Sequence, residues 1–136
     1  MNVKTVFVGL GTMAALLTAS AKDVDVSKLP AAATKKDVTF AKDIKPIFEK
    51  SCVKCHGAEK PKARLRLDNL EGSLKGSSDG KVIEPGNSAK SSLVHSVARL
   101  GDEDYWMPPP KNKDKIPALT AEQVGLIRAW IDQGAK

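Results

Sequence analysis

Cysteine is nearly absent: the 136 residues hold two, Cys52 and Cys55, three positions apart. Two cysteines cannot build a disulfide framework. A bridge between these two would close so small a loop that it constrains the unfolded chain little. Aromatic residues are also scarce, at 4% of the chain. Beyond residue 21 only Phe40, Phe48, Tyr105, Trp106 and Trp130 remain. A domain of about 100 residues with so little aromatic bulk has a thin core, and something else has to fill it. No apolar run is long enough for a membrane-spanning helix, which needs about 20 residues. The longest, TVFVGLGTMAALL, is interrupted by Gly9 and Gly11. Charge of one sign is not concentrated either. The 22 basic and 16 acidic side chains are mixed, which excludes the dense basic stripe of a nucleic-acid binder. There is no internal repeat and no low-complexity tract.

The first residues read as an export signal. MNVK is a short basic start, the apolar run follows, and Ala19-Ser20-Ala21 is a small-residue cleavage pattern. We therefore expect a signal peptide over residues 1–21 and a periplasmic protein, with an uncleaved N-terminal anchor as the alternative. No cysteine follows the cleavage site to carry a lipid. Without the signal the net charge is +5, from 21 basic and 16 acidic groups. That is a solvated surface or, alternatively, a patch that steers an acidic redox partner. Residues 22–37, KDVDVSKLPAAATKKD, show no period and read as a flexible leader. One folded domain is expected over residues 38–136.

Within that domain, Phe40, Ile44, Ile47, Phe48 and Cys52 recur at helical spacing. Pro46 is tolerated if the helix begins near Asp43, because the first amides of a helix lack partners anyway. Residues 57–90 are rich in Gly, Lys, Ser and Asp and read as loop and turns, with RLRLD at 64–68 as a short extended piece. Ser91 to Leu100 reads as a helix that turns Leu93, Val97 and Leu100 inward and stops at Gly101. The clearest helix is TAEQVGLIRAWIDQGAK. Thr120 and Gln123 form a capping box, Val124, Leu126, Ile127, Trp130 and Ile131 share one face, and Gly134 is the stop.

The chemistry concentrates in Cys52-Val53-Lys54-Cys55-His56. C-x-x-C-H is the attachment signature of c-type haem. Two thiols spaced to reach two vinyl groups form thioether bonds, and the next residue, His56, lies beneath the ring to ligate iron. A zinc site needs four ligands, and adjacent Cys55 and His56 point poorly at one small ion. A thioredoxin-like centre would want a βαβ setting, which the surrounding pattern lacks. Phe48, one turn before Cys52, is placed to pack beside whatever the thiols hold. The candidate sixth ligand is Met107, the one methionine beyond the signal, in the proline-stiffened stretch YWMPPP. His95 is the competitor, read as an exposed histidine on the helix side away from Leu93. An open or water-bound site is the remaining alternative.

From about Val38 onward the chain resembles the planctomycete-type cytochrome c domain, a relative of class I c-type cytochromes. The residues that carry the likeness are FAKDIKPIFEKSCVKCHG at 40–57, RLRLD, IEPGNSAKSSLV at 83–94, MPPP at 107–110 and LTAEQVGLIRAWIDQGA at 119–135. The resemblance implies an all-α fold of three or more short helices around one covalently bound haem c. It implies N- and C-terminal helices that cross, with Phe48 meeting Trp130 there. It also implies Cys52 and Cys55 as thioether positions, with His56 and Met107 as iron ligands. Trp106, Arg64 and Arg66 are candidate donors to the haem propionates, with solvated surface charge as the competing reading for the arginines. The expected function is single-electron transfer between periplasmic or membrane partners, not an enzyme. The alternatives are a haem enzyme or gas sensor with an open distal site, and a non-redox interaction module.

Overall fold

The computed structural model describes residues 24–136, so the signal-peptide reading lies outside the described residues. Among the described residues all regular structure is helical and no strand forms, as the all-α expectation requires.

Thr39 starts the first helical segment. Its Oγ1 accepts from the Lys42 amide at 3.3 Å, and its own amide donates to Asp43 Oδ2 at 2.9 Å. A wide π-type turn, Phe40–Ile44, leads straight into helix α1, Lys45–Ser51. Pro46 falls in the first turn of α1, where its missing N–H costs no hydrogen bond. Helix α4, Ala121–Asp132, opens on the expected capping box. Thr120 Oγ1 accepts from Gln123 N at 3.2 Å, and Gln123 Oε1 accepts from Thr120 N at 2.9 Å. Val124, Ile127, Trp130 and Ile131 are buried, and Gly134, at φ +104°, turns the chain away. Phe40, Phe48 and Trp130 meet as a triangle of rings with centroids 5.8–6.2 Å apart. Trp130 Nε1 also donates to the Lys136 carbonyl at 3.0 Å.

Two shorter helices lie between. Helix α2, Leu70–Lys75, falls in a stretch expected to be loop. It is too short to show a period and contains Gly72 and Ser73, both weak helix formers. Its one sequence signal is the cap, Asn69, whose Oδ1 accepts from Gly72 N at 2.7 Å. Residues 64–68 alternate as expected, with Leu65 and Leu67 buried, but they find no strand to pair with. Instead the Leu67 amide donates to His56 O at 2.8 Å. Helix α3, Ser92–Val97, stops short of the expected Leu100, because Arg99 adopts a left-handed φ of 55°.

A flexible leader was expected over 22–37, but its described part lies along α4. Leu29 is buried, the Pro30 carbonyl accepts from Arg128, and the Ala33 amide donates to Gly125 O at 2.9 Å. Gln133 donates to Lys35 O at 2.8 Å and accepts from Val38 N at 3.1 Å. These are mostly backbone attachments, which leave no trace in hydrophobic periodicity. They need a glycine on α4: a Cβ at position 125 would stand 2.6 Å from the Ala31 carbonyl oxygen. Gly125→Ala is therefore expected to lift the segment and cost about 1–3 kcal/mol, despite alanine's better helix propensity. An unchanged urea midpoint would show that the contact carries no stability.

Candidate cofactor site

Helix α1 runs out at Cys52, whose φ/ψ of −129°/−43° leaves the helical range. The amides of Cys52 and Val53 both reach Phe48 O, at 2.8 and 2.9 Å, and those of Cys55 and His56 both reach Cys52 O, at 3.0 and 2.9 Å. This tight winding brings Cys52, Cys55 and His56 to the wall of one cavity of about 730 Å³. Gly57 closes the turn, because a Cβ there would stand 2.6 Å from Val53 O. Leu65, Leu67, Leu93, Val97 and Ile116 supply apolar wall.

The His56 ring is held by the loop that follows it. Its Nδ1 lies 3.2 Å from both Lys62 O and Leu65 O. A carbonyl only accepts, so the ring proton sits on Nδ1 and the lone pair on Nε2 is free to ligate. Burial is the main influence that lowers the His56 pKa, which keeps the imidazole neutral, as a metal ligand must be. Burial also pushes the Cys52 thiol up to about 12, with Cys55 adding to the effect. A thiol held protonated so firmly is not the low-pKa nucleophile of a redox-exchange centre. The two cysteines are not bridged. Nor do three or more His, Cys, Asp or Glu side chains converge among the described residues, as a zinc site would need.

Met107 reaches the same cavity from the proline strap. Its amide donates to Ser96 O at 3.1 Å. Beyond the prolines, Asn112 ties the loop with three hydrogen bonds, donating to Pro109 O and Ile116 O and accepting from Ile116 N, at 2.7–2.9 Å. His95, expected to be exposed, is half-buried and lines the cavity. Helix α3 has the core on one side, through Val94, and the cavity on another, so it has more than one buried face. The His95 Nε2–H donates to Ala89 O at 2.7 Å, which removes that nitrogen as a ligand.

Residues 52–111 match a family model described as Planctomycete cytochrome C. The match supports a planctomycete-type cytochrome c domain over these residues. The match starts at Cys52 and runs past Met107, so it contains the whole motif, while α1 and α4 flank it. No curated protein and no solved structure matches the chain.

A cytochrome c family domain implies covalently bound haem c, and the cavity fits that group. Its walls are largely apolar, and its volume lies within the roughly 300–1,000 Å³ of cofactor pockets. Two thiols, an imidazole with a free Nε2 and a thioether all open onto it. Four other residues expected at the cofactor are not in its wall. Phe48 is fully buried, with its ring against those of Phe40 and Trp130. Arg66 is committed to Asp68, with bonds of 2.9 and 2.6 Å, and Arg64 is exposed. Trp106, itself on the strap, lies under the Arg99 guanidinium, with its Nε1 buried and without an acceptor among the described residues. Sequence reasoning missed Ile116, although it is the one apolar residue in KNKDKIP and that contrast was visible. Outside Cys55, Lys54, Lys60, Lys62 and Lys113 border a smaller hollow of about 210 Å³, with Asp114 paired to Lys54 at 2.6 Å.

Proposed function

We propose that this cytochrome domain is a class I-like monohaem carrier that passes single electrons between periplasmic or membrane-associated redox proteins. One observation carries the reading: Cys52, Cys55, His56 and Met107 open onto a single apolar cavity, with the His56 proton committed to Nδ1. Cys52 and Cys55 would hold the haem through thioether bonds, and His56 Nε2 and Met107 Sδ would ligate its iron. Haem bound there supplies an iron that gains and loses one electron, at a potential raised by His/Met ligation. The chain's own part is to hold both ligands still and keep water out. The Lys62 and Leu65 carbonyls fix the imidazole ring. Ser96 and Asn112 fix the strap that presents the thioether. That bracing supports a closed distal side over an open, ligand-binding one.

The lysines beside Cys55 suit an acidic redox partner, steered by long-range charge. The export signal over residues 1–21 would supply the compartment in which thiols are joined to haem. No described helix is long and apolar enough to cross a membrane.

A reduced-minus-oxidised visible spectrum of the exported protein tests the reading. A single sharp α-band of the c type is expected, and colourless protein at the mass of bare polypeptide would end it. In the same preparation, Met107→Ala is expected to abolish the weak near-infrared band of Fe(III)–thioether ligation. Persistence of that band would remove Met107 from the ligand set.

A further inference from the structure

We propose that Arg99 is the positioning residue of the methionine strap, its one guanidinium gripping both chain neighbours of Met107. The inference rests on the proposed ligation by Met107. The Arg99 Cζ stands 5.7 Å from the centre of the Trp106 ring, and Arg99 Nη2 donates to the Pro108 carbonyl at 3.4 Å. Between them, the Met107 amide donates to Ser96 O. Three consecutive strap residues, 106 to 108, are thus each held by the short stretch 96–99 at the end of α3. Pro108 has no N–H, so its carbonyl is the backbone handle left to grip.

The backbone of Arg99 fits this role. Its φ of 55° is uncommon for a residue with a side chain, and it ends α3 two residues before Gly101, where a glycine could make the same turn without strain. Arg99 Nε is buried with no acceptor among the described residues. A guanidinium held partly out of water over an indole ring is where cation–π attraction is strongest. A planar fork can lie on a ring and still point one nitrogen at a carbonyl, which a lysine ammonium does poorly.

The test uses full-length, haem-loaded protein with Arg99→Gln, Arg99→Lys and, as a charge control, Arg64→Gln at an exposed site. Three quantities are read: the rate of cyanide binding to the oxidised form, the temperature at which the near-infrared band disappears relative to the far-UV helix signal, and hydrogen exchange at the Met107 amide. Arg99→Gln is expected to speed cyanide binding and amide exchange about tenfold. It should also lose the band well below the helix transition. Arg99→Lys keeps the charge without the fork and should fall between Arg99→Gln and wild type; it carries the test alone if Arg99→Gln fails to fold. Agreement of Arg99→Gln with Arg64→Gln in all three readouts overturns the proposal. So does loss of the band and the helices together, which would make Arg99 merely structural. A wild-type protein without the band removes Met107 as ligand, and amide exchange at Met107 then decides alone whether Arg99 clamps the strap.

Discussion

Changing Cys52 and Cys55 together to serine is expected to yield a chain from which acid-acetone extracts all of the haem, whereas the parent chain keeps its haem through the same treatment. A serine hydroxyl does not form a thioether, so the only remaining attachments would be axial ligation and apolar contact, and acid protonates His56. The single variants should separate the two positions. Each retains one bond, so each stays coloured on a denaturing gel, with its α-band displaced from that of the parent. Cys52 is the more buried of the pair, and its thiol is the one burial pushes up to about 12. Its loss therefore opens the wall nearest the core, and Cys52→Ser should give up haem more readily in acid-acetone than Cys55→Ser. Whole-protein mass decides the matter without spectroscopy. A double variant that still carries the mass of haem after extraction would show that these sulfurs are not the attachment.

The parts of the structure that were legible in advance are those with local causes. The capping box of α4, its buried face and its glycine stop all depend on residues within one or two turns. Pro46 marked the start of α1 because proline's missing amide is tolerated in few places. Cys52, Cys55 and His56 were legible as a spacing, and Met107 by its proline context, and the structure brings all four to one cavity. What stayed hidden depends on partners distant in sequence. The lie of residues 29–38 on α4 is set by Gly125, Arg128 and Gln133, roughly a hundred positions away. Phe48 sits one turn from Cys52, but the helix ends between them and the rings of Phe40 and Trp130 claim it. Arg66 is the opposite case. Its partner Asp68 stood two residues along in RLRLD, so the pair that spends its guanidinium was open to a local reading.

Trp130→Ala is expected to be the most costly single change in the core, and its effect should reach the cofactor. Trp130 is fully buried, contacts both Phe40 and Phe48, and donates to the Lys136 carbonyl. Truncating a buried tryptophan costs about 3–5 kcal/mol, against a whole-domain stability of about 5–15 kcal/mol. Trp130→Phe keeps a ring in the triangle and forfeits the N–H, so it should cost clearly less. The two variants separate ring packing from the hydrogen bond. The path to the site is short. Phe48 O accepts from the amides of Cys52 and Val53, so a shift of the Phe48 ring is passed to the turn that carries the thiols. The covalent bonds should survive Trp130→Ala while the ligand geometry loosens. We therefore expect haem to remain through acid-acetone, the urea midpoint to fall steeply, and cyanide to bind the oxidised protein faster. A loss of less than about 1 kcal/mol in Trp130→Ala would mean that the ring triangle is not what ties the segment around α1 to α4. A large loss with unchanged cyanide binding would mean that the cavity is braced independently of that core, by the strap and the loop around His56 alone.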